Sequence, residues 1–228
     1  MLRHVLSPIH PDGWRFIAAF ALVTVALFFL WTPLGWLGVV ATLWCVYFFR
    51  DPWRVSPLRP GLVLAPADGL VVTVDEAAPP PELEMGSEPL RRIGIFLSVI
   101  DVHINRMPMG GRVVKRAYSP GKFLNASLDK ASALNERMAL RVASEAGPEI
   151  AVVQIAGLIA RRIVCNVDEG EVVAAGQRFG LIRFGSRTDL YLPLDWAVFA
   201  IEGQRMIGGE TVVADARGQE SRRDGRAH

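Results

Sequence analysis

The sequence predicts a mostly β (α+β) domain, a compact sandwich or partly closed barrel, preceded by an N-terminal helical membrane hairpin. Three observations predict it. Residues 16 to 49 carry no charged side chain. From about residue 60 onward, apolar and polar residues alternate in short runs, the period of half-buried strands. Gly, Pro and Asp turns separate those runs and leave few long helical patterns. A chain of 228 residues, 51% of them hydrophobic, can hold one good core. The apolar residues are spread so unevenly, however, that a membrane segment plus one further domain accounts for them better.

Met1 to Arg15 is a short N-terminal segment with a Pro/Gly/Asp turn, expected in the cytoplasm. Residues 16–49 are the hairpin. Pro33 and Gly35 divide it into Phe16–Trp31 and Leu34–Phe49, each about 24 Å long as a helix. That is slightly short of the roughly 30 Å hydrocarbon core, which favours two short spans or a re-entrant pair over one long helix. Trp31, Trp36, Trp44 and Tyr47 suit interfacial depths. The run is too long for a signal peptide and lacks a small-residue cleavage site. Arg3, Arg15, Arg50, Arg54 and Arg59 flank it, so the positive-inside tendency puts both termini and the following domain on the cytoplasmic side of the cell membrane.

Residues 50–60 read as a proline-punctuated linker, 61–215 as the β domain, and 216–228 as a charged tail expected to be disordered. Strands are expected over residues 62–65, 70–75, 92–99, 102–105, 112–118, 137–143, 150–156, 163–167, 179–184 and 190–192. The proline-rich stretch 79–89 reads as an exposed loop and 129–137 as a short helix. Cys45 and Cys165 make no disulfide framework and fit a reducing compartment. The net charge of +2 gives no reason to expect a nucleic-acid partner, and no metal is expected.

The polar stretch Arg183-Phe184-Gly185-Ser186-Arg187-Thr188 stands between two apolar runs. Gly185 has no Cβ, so its carbonyl is open to the hydroxyl of Ser186. If a base takes that hydroxyl's proton, the oxygen attacks the Gly185 carbonyl and gives an ester. Elimination to dehydroalanine and hydrolysis then leave a pyruvoyl group and a chain cut before Ser186. Gly-Ser is also an ordinary turn dipeptide, so other segments must bear on it. Asp68, in Ala65-Pro66-Ala67-Asp68-Gly69, either orients an imidazole or caps a turn. His103 is the sole histidine between His10 and His228; strand alternation puts it on one face with Asp101 and Asn105, opposite Val102 and Ile104. Residues 121 to 137, including Asn125, read plainly as a polar loop and capped helix.

Together these segments resemble the phosphatidylserine decarboxylase family in its short, membrane-anchored bacterial form. The resemblance covers nearly the whole chain. It rests on His10-Pro11-Asp12-Gly13, Phe48-Phe49-Arg50-Asp51-Pro52, Pro66-Ala67-Asp68-Gly69, Asp101-Val102-His103 with Asn105-Arg106, the block Asn125 to Arg137, and Phe184-Gly185-Ser186. It implies a proenzyme that cuts itself between Gly185 and Ser186 into a large β and a small α chain that stay together as a heterodimer. Ser186 becomes a covalent pyruvoyl cofactor, which condenses with the amine of phosphatidylserine and draws in the electrons released as carbon dioxide leaves. His103 is then the natural proton donor, since an imidazole's ordinary pKa lies near neutrality. Asp68 with His103 or a neighbour would activate Ser186 for the cut. The longer bacterial enzymes of this type carry a second histidine where this chain has Arg106. His103 therefore serves both steps here, or Arg106 holds the substrate carboxylate or phosphate; Asn125 is a further substrate-binding candidate.

Two other readings stay open on the residues alone. One is a membrane-anchored serine hydrolase using Ser186, His103 and Asp68, against which the missing Gly-x-Ser-x-Gly elbow counts. The other is a biotinyl- or lipoyl-like carrier module suggested by residues 167–180. That segment lacks the modifiable lysine it would need, the lysines being 115, 122 and 130.

Overall fold

A computed structural model describes residues 7–121, 135–144, 146–157, 162–183 and 186–219. The chain divides into two compact units, 1–53 with 100–102, and 54–99 with 103–228.

In the first unit a 3-10 turn at Pro11–Gly13 leads into α1 (Trp14–Leu30), and α2 (Thr32–Phe48) follows after Trp31 alone. Each helix has 17 residues, roughly 26 Å of length. The break falls at Trp31, whose backbone is extended (φ −166°, ψ 123°). Pro33 sits in the first turn of α2, where its missing N–H leaves no bond unmade,. Gly35 and Gly38 are helical: the first lies under the Phe28 ring and the second against Thr24. Small residues let the two backbones approach, and Thr24 and Thr42 share a hydrogen bond of 3.0 Å across the pair. Leu22, Val25, Phe29, Leu37, Val40 and Leu43 point outward and exposed. The helical segment Pro11–Leu30 is long and apolar enough to cross a membrane. At the open end Arg50 stacks on the Tyr47 ring at 3.7 Å and donates to the Ile100 carbonyl at 2.8 Å.

The second unit is antiparallel β. Its strands are β1 (Leu62–Leu64), β2 (Gly69–Ala77), β3 (Leu90–Leu97), β4 (Ile104–Arg106), β5 (Gly111–Ser119), β6 (Arg137–Ser144), β7 (Glu149–Ala156), β8 (Ile163–Cys165), β9 (Val172–Val173), β10 (Arg178–Ile182), β11 (Ser186–Leu192), β12 (Ala197–Val198), β13 (Arg205–Met206) and β14 (Val212–Asp215). Among the described residues, eight of these strands form a curled sheet in the order β13-β2-β3-β11-β7-β6-β5-β9, beside two three-stranded sheets, β1-β14-β12 and β4-β10-β8. The mostly β reading is therefore borne out. The strands that the sequence hid, β9, β12, β13 and β14, are two to four residues long, too short to show an alternation.

The main core lies on one face of the large sheet, where Val71, Ile93, Ile95, Leu140, Val152, Leu190 and Leu192 are buried with Phe179 and Trp196. A second cluster, Ala139, Ala151, Val153, Ile155 and Tyr191, lies on the other face and is closed by Leu83. This corrects the expectation of an exposed loop over residues 79–89. Pro81–Leu83 is a 3-10 turn with Leu83 fully buried, and Glu82 clamps it to the sheet. Arg137 grips both Glu82 oxygens (Nε to Oε1 2.5 Å, Nη2 to Oε2 2.9 Å), and Ser119 donates to Oε1 at 2.9 Å. The expected helix over residues 129–137 lies mostly outside the described residues; its last residue, Arg137, opens β6. Residues 220–228 of the expected tail also lie outside them.

Burial alone would raise the Glu82 carboxyl, but the bonds from Arg137, its own backbone and Ser119 outweigh that and hold it below its ordinary 4.5. A depressed folded pKa stabilises fully above the unfolded value, and that stabilisation disappears as pH falls through the folded one. Glu82→Gln is thus expected to cost about 1–3 kcal/mol at pH 7, read as a lower melting temperature. The gap to wild type should close as the scan pH is lowered toward about 3. An equal gap at both pH values would contradict the clamp.

Candidate active site

Two strand pairings converge on Ser186. The first runs through β4. It pairs with β10 at Ile104 to Leu181 and Asn105 to Gly180, and the Ile182 N–H donates to the His103 carbonyl at 3.3 Å. Ile182 precedes Ser186 by four positions, so this pairing joins the His103 backbone to a residue near Ser186 in sequence. The second runs through β11, held on both edges, where Ser186 stands opposite Leu97 of β3 and Ala156 of β7. The sequence reading put Ser186 at the end of a strand over residues 179–184. The structure makes it the first residue of the next strand, inside the large sheet.

Side chains two apart on a strand share a face, and directly paired residues share it across strands. Ser186, Thr188, Ala156 and Gln154 therefore line one face. Asn105 reaches that face from β4: its Nδ2 meets Thr188 Oγ1 at 3.4 Å, and its Oδ1 accepts from Gln154 Nε2 at 2.8 Å. His103, Asn105, Gln154, Ser186 and Thr188 are all fully buried. Ser186 Oγ has no hydrogen-bond partner among the described residues. Buried hydroxyls are normally bonded, and an unengaged one retains the lone pairs that a nucleophile needs.

Two of the remaining candidates, Asp68 and Arg106, lie on elements tied to each other. Asp68 occupies the turn between β1 and β2. Its Oδ2 accepts from Arg54 at 2.6 Å and its Oδ1 from the Gly208 N–H at 2.8 Å. The same turn is tied to β4, because the Arg106 N–H donates to the Pro66 carbonyl at 2.8 Å. The buried Arg106 side chain donates to the Gly176 carbonyl at 3.1 Å and lies under Gly209. Asn125 and Gly185 lie outside the described residues.

The opposite face of β11 is charged and equally dry. Arg187 and Asp189 are fully buried and pair at 2.5 Å, with the guanidinium over Gly94 of β3, where a Cβ would collide with it. Beside them burial, reinforced by Asp189, pushes the Tyr191 hydroxyl up to about 12. Two rows from Ser186 on its own face, Glu136 is raised by burial, against the lowering effect of hydrogen bonds from Tyr118 and the Ile163 backbone. Its carbonyl accepts from Ala156 N at 2.9 Å, and Asn135 donates to the Ala156 carbonyl at 2.7 Å. The residue opposite Ser186 is thus fixed from its other side.

The family model for phosphatidylserine decarboxylase matches residues 41–214. A phosphatidylserine decarboxylase proenzyme of Cereibacter sphaeroides is 56% identical over 227 residues, covering 100% of this chain and 98% of that protein. The proenzyme of Paramagnetospirillum magneticum is 56% identical over 225 residues, 99% of this chain and 94% of that one. The chain belongs to the phosphatidylserine decarboxylase family. Membership in the phosphatidylserine decarboxylase family sets aside the serine hydrolase and the carrier-module readings, and the resemblance read from the six motifs is borne out.

The sequence reading missed Gln154. Its signal was present, a lone amide in the apolar run Ile150 to Ala156, where a strand buried on both faces has no place for an unpaired polar group.

Proposed function

We propose that this chain is a self-processing decarboxylase that converts phosphatidylserine to phosphatidylethanolamine and carbon dioxide, with Ser186 the precursor of a pyruvoyl group. The observation that supports this reading is the buried Ser186 hydroxyl, without a hydrogen-bond partner among the described residues, at the head of a strand paired on both edges, with the His103 carbonyl bonded to Ile182 four positions before it. The surroundings fit such a group: Asn105, Gln154 and Thr188 offer neutral hydrogen-bonding atoms beside it. The group, once formed, supplies an electron sink for the decarboxylation.

The chain's own residues do the rest. His103, with Asp68 as its charged partner, takes the proton from Ser186 during the cut between Gly185 and Ser186. The fixed Asp68 carboxylate, held by Arg54 and the Gly208 N–H, suits an orienting role. In the decarboxylation His103 returns a proton to the substrate carbon that has lost its carboxylate. Residue 186 stays in place after the cut because residues 186–192 remain paired to β3 and β7. The small chain therefore remains with the large one as a heterodimer. Arg106 and Asn125 are assigned to the substrate carboxylate or phosphate, for which arginine's fork is suited. The apolar helices hold the protein at the bilayer that contains its substrate, with the catalytic domain, residues 61–215, on the cytoplasmic side.

The test is chemical. Hydroxylamine added to purified wild-type protein should form an oxime with loss of water, adding its mass less one water to a fragment beginning at residue 186, and Edman degradation of that fragment should fail. A freely sequenced fragment beginning with serine would contradict the proposal.

A further inference from the structure

Gln154 is locked in one orientation. Its Nε2 donates to Asn105 Oδ1 at 2.8 Å and to the Val164 carbonyl at 3.2 Å. A backbone carbonyl only accepts, so the amide cannot be turned over without setting two oxygens against each other. The closeness of Nε2 to Gly180, where a Cβ would sit 2.7 Å from it, closes that side further. Gln154 Oε1 is therefore directed elsewhere. It is buried, with no hydrogen-bond partner among the described residues, and Ser186 Oγ is in the same condition. Gln154 pairs with Thr188 and Ser186 with Ala156, so the two unbonded oxygens belong to diagonal neighbours on one face, about 7–8 Å apart at the backbone. Ala156 and Thr188 occupy the other two corners of this group of four.

A buried acceptor left without a donor costs stability unless a ligand completes it. Residue 186 cannot be that donor in the mature protein, because conversion to a pyruvoyl group removes its hydroxyl. The reacting group of a serine headgroup is its amine, whose nitrogen must bond to the carbonyl carbon of residue 186 while the carbonyl oxygen leaves as water. That nitrogen also carries the headgroup's N–H donors. We infer that Gln154 Oε1 accepts a hydrogen bond from the substrate amine and holds its nitrogen against residue 186, making Gln154 a catalytic residue and a determinant of specificity for primary-amine headgroups. This inference rests on the decarboxylase reading of Ser186.

The experiment uses the full-length protein in detergent micelles with Gln154→Met and Gln154→Glu. Methionine matches the shape without the acceptor; glutamate keeps an acceptor but loses the Nε2 donor. Two quantities are read besides self-cleavage: kcat/KM for phosphatidylserine, and the covalent capture of added phosphatidylethanolamine on the small chain. In the capture, cyanoborohydride supplies the hydride that reduces the condensed amine, and mass spectrometry reads the adduct. Gln154→Met should cleave itself as wild type does, yet lose roughly tenfold or more in both capture and kcat/KM. Gln154→Glu should retain more of both than Gln154→Met. If Gln154 merely props Asn105 and β8, glutamate, which sets a carboxylate against the Val164 carbonyl, should be the worse of the two, and that order would overturn the inference. Wild-type capture by Gln154→Met would overturn it as well, and so would failure of that variant to cut itself, since Gln154 would then serve the cut. A wild-type chain that stays whole and captures no amine would instead remove the decarboxylase reading beneath it.

Discussion

Ser186→Ala should remain a single chain of 228 residues and show decarboxylation no higher than background. The methyl group removes the only atom assigned to attack the Gly185 carbonyl, so neither the cut nor the cofactor can follow. The fold should survive, because Ser186 Oγ has no hydrogen-bond partner among the described residues and alanine fits a buried strand position. Melting temperature should accordingly stay close to that of wild-type protein that has not yet cut itself. Ser186→Cys keeps a nucleophile and can form the analogous thioester. It should cut more slowly in a pocket shaped for oxygen, as a time course of denaturing gels would show. An Ser186→Ala protein that decarboxylates at the wild-type rate would end the assignment.

His103→Ala is expected to lower decarboxylation by about 10²–10⁴-fold, the usual worth of a positioned proton donor. The backbone contact between Ile182 N and the His103 carbonyl does not depend on the imidazole, so the segment leading to Ser186 should remain in place. Gel analysis of the same preparation separates the two roles of the side chain. A variant that cuts but does not decarboxylate keeps His103 as proton donor and assigns the cut to another base. A variant that does neither supports one imidazole serving both steps, as Arg106 in place of a second histidine suggests. Normal decarboxylation would remove His103 from the mechanism.

The hairpin and most strands were legible because their signals are local: an uncharged run of 34 residues from 16 to 49, and alternation between turns. The head of β11 was not. Ser186, Arg187, Thr188 and Asp189 look like a polar turn, and they lie in a buried strand only because their partners come from far away in sequence. Arg187 and Asp189 neutralise each other beneath Gly94, while Thr188 is met by Asn105. Leu83 was misread for a related reason, since nothing local reveals that Arg137 and Ser119 will draw Glu82, and the residue beside it, onto the sheet. In the site, Ser186 and His103 could be singled out from the sequence as residues of the right chemistry, whereas Gln154 needed the register of β7 against β11 before its orphaned oxygen acquired a meaning.

The central claim, that Ser186 is consumed to make the cofactor, is tested most directly by the intact mass of freshly purified wild-type protein under denaturing conditions. The account predicts two species. One ends at Gly185; the other comprises the 43 residues from 186 to 228, with a mass lower than the serine-containing sequence by the difference between serine and a pyruvoyl group. One undivided species of full sequence mass, in a preparation that decarboxylates phosphatidylserine, would contradict it.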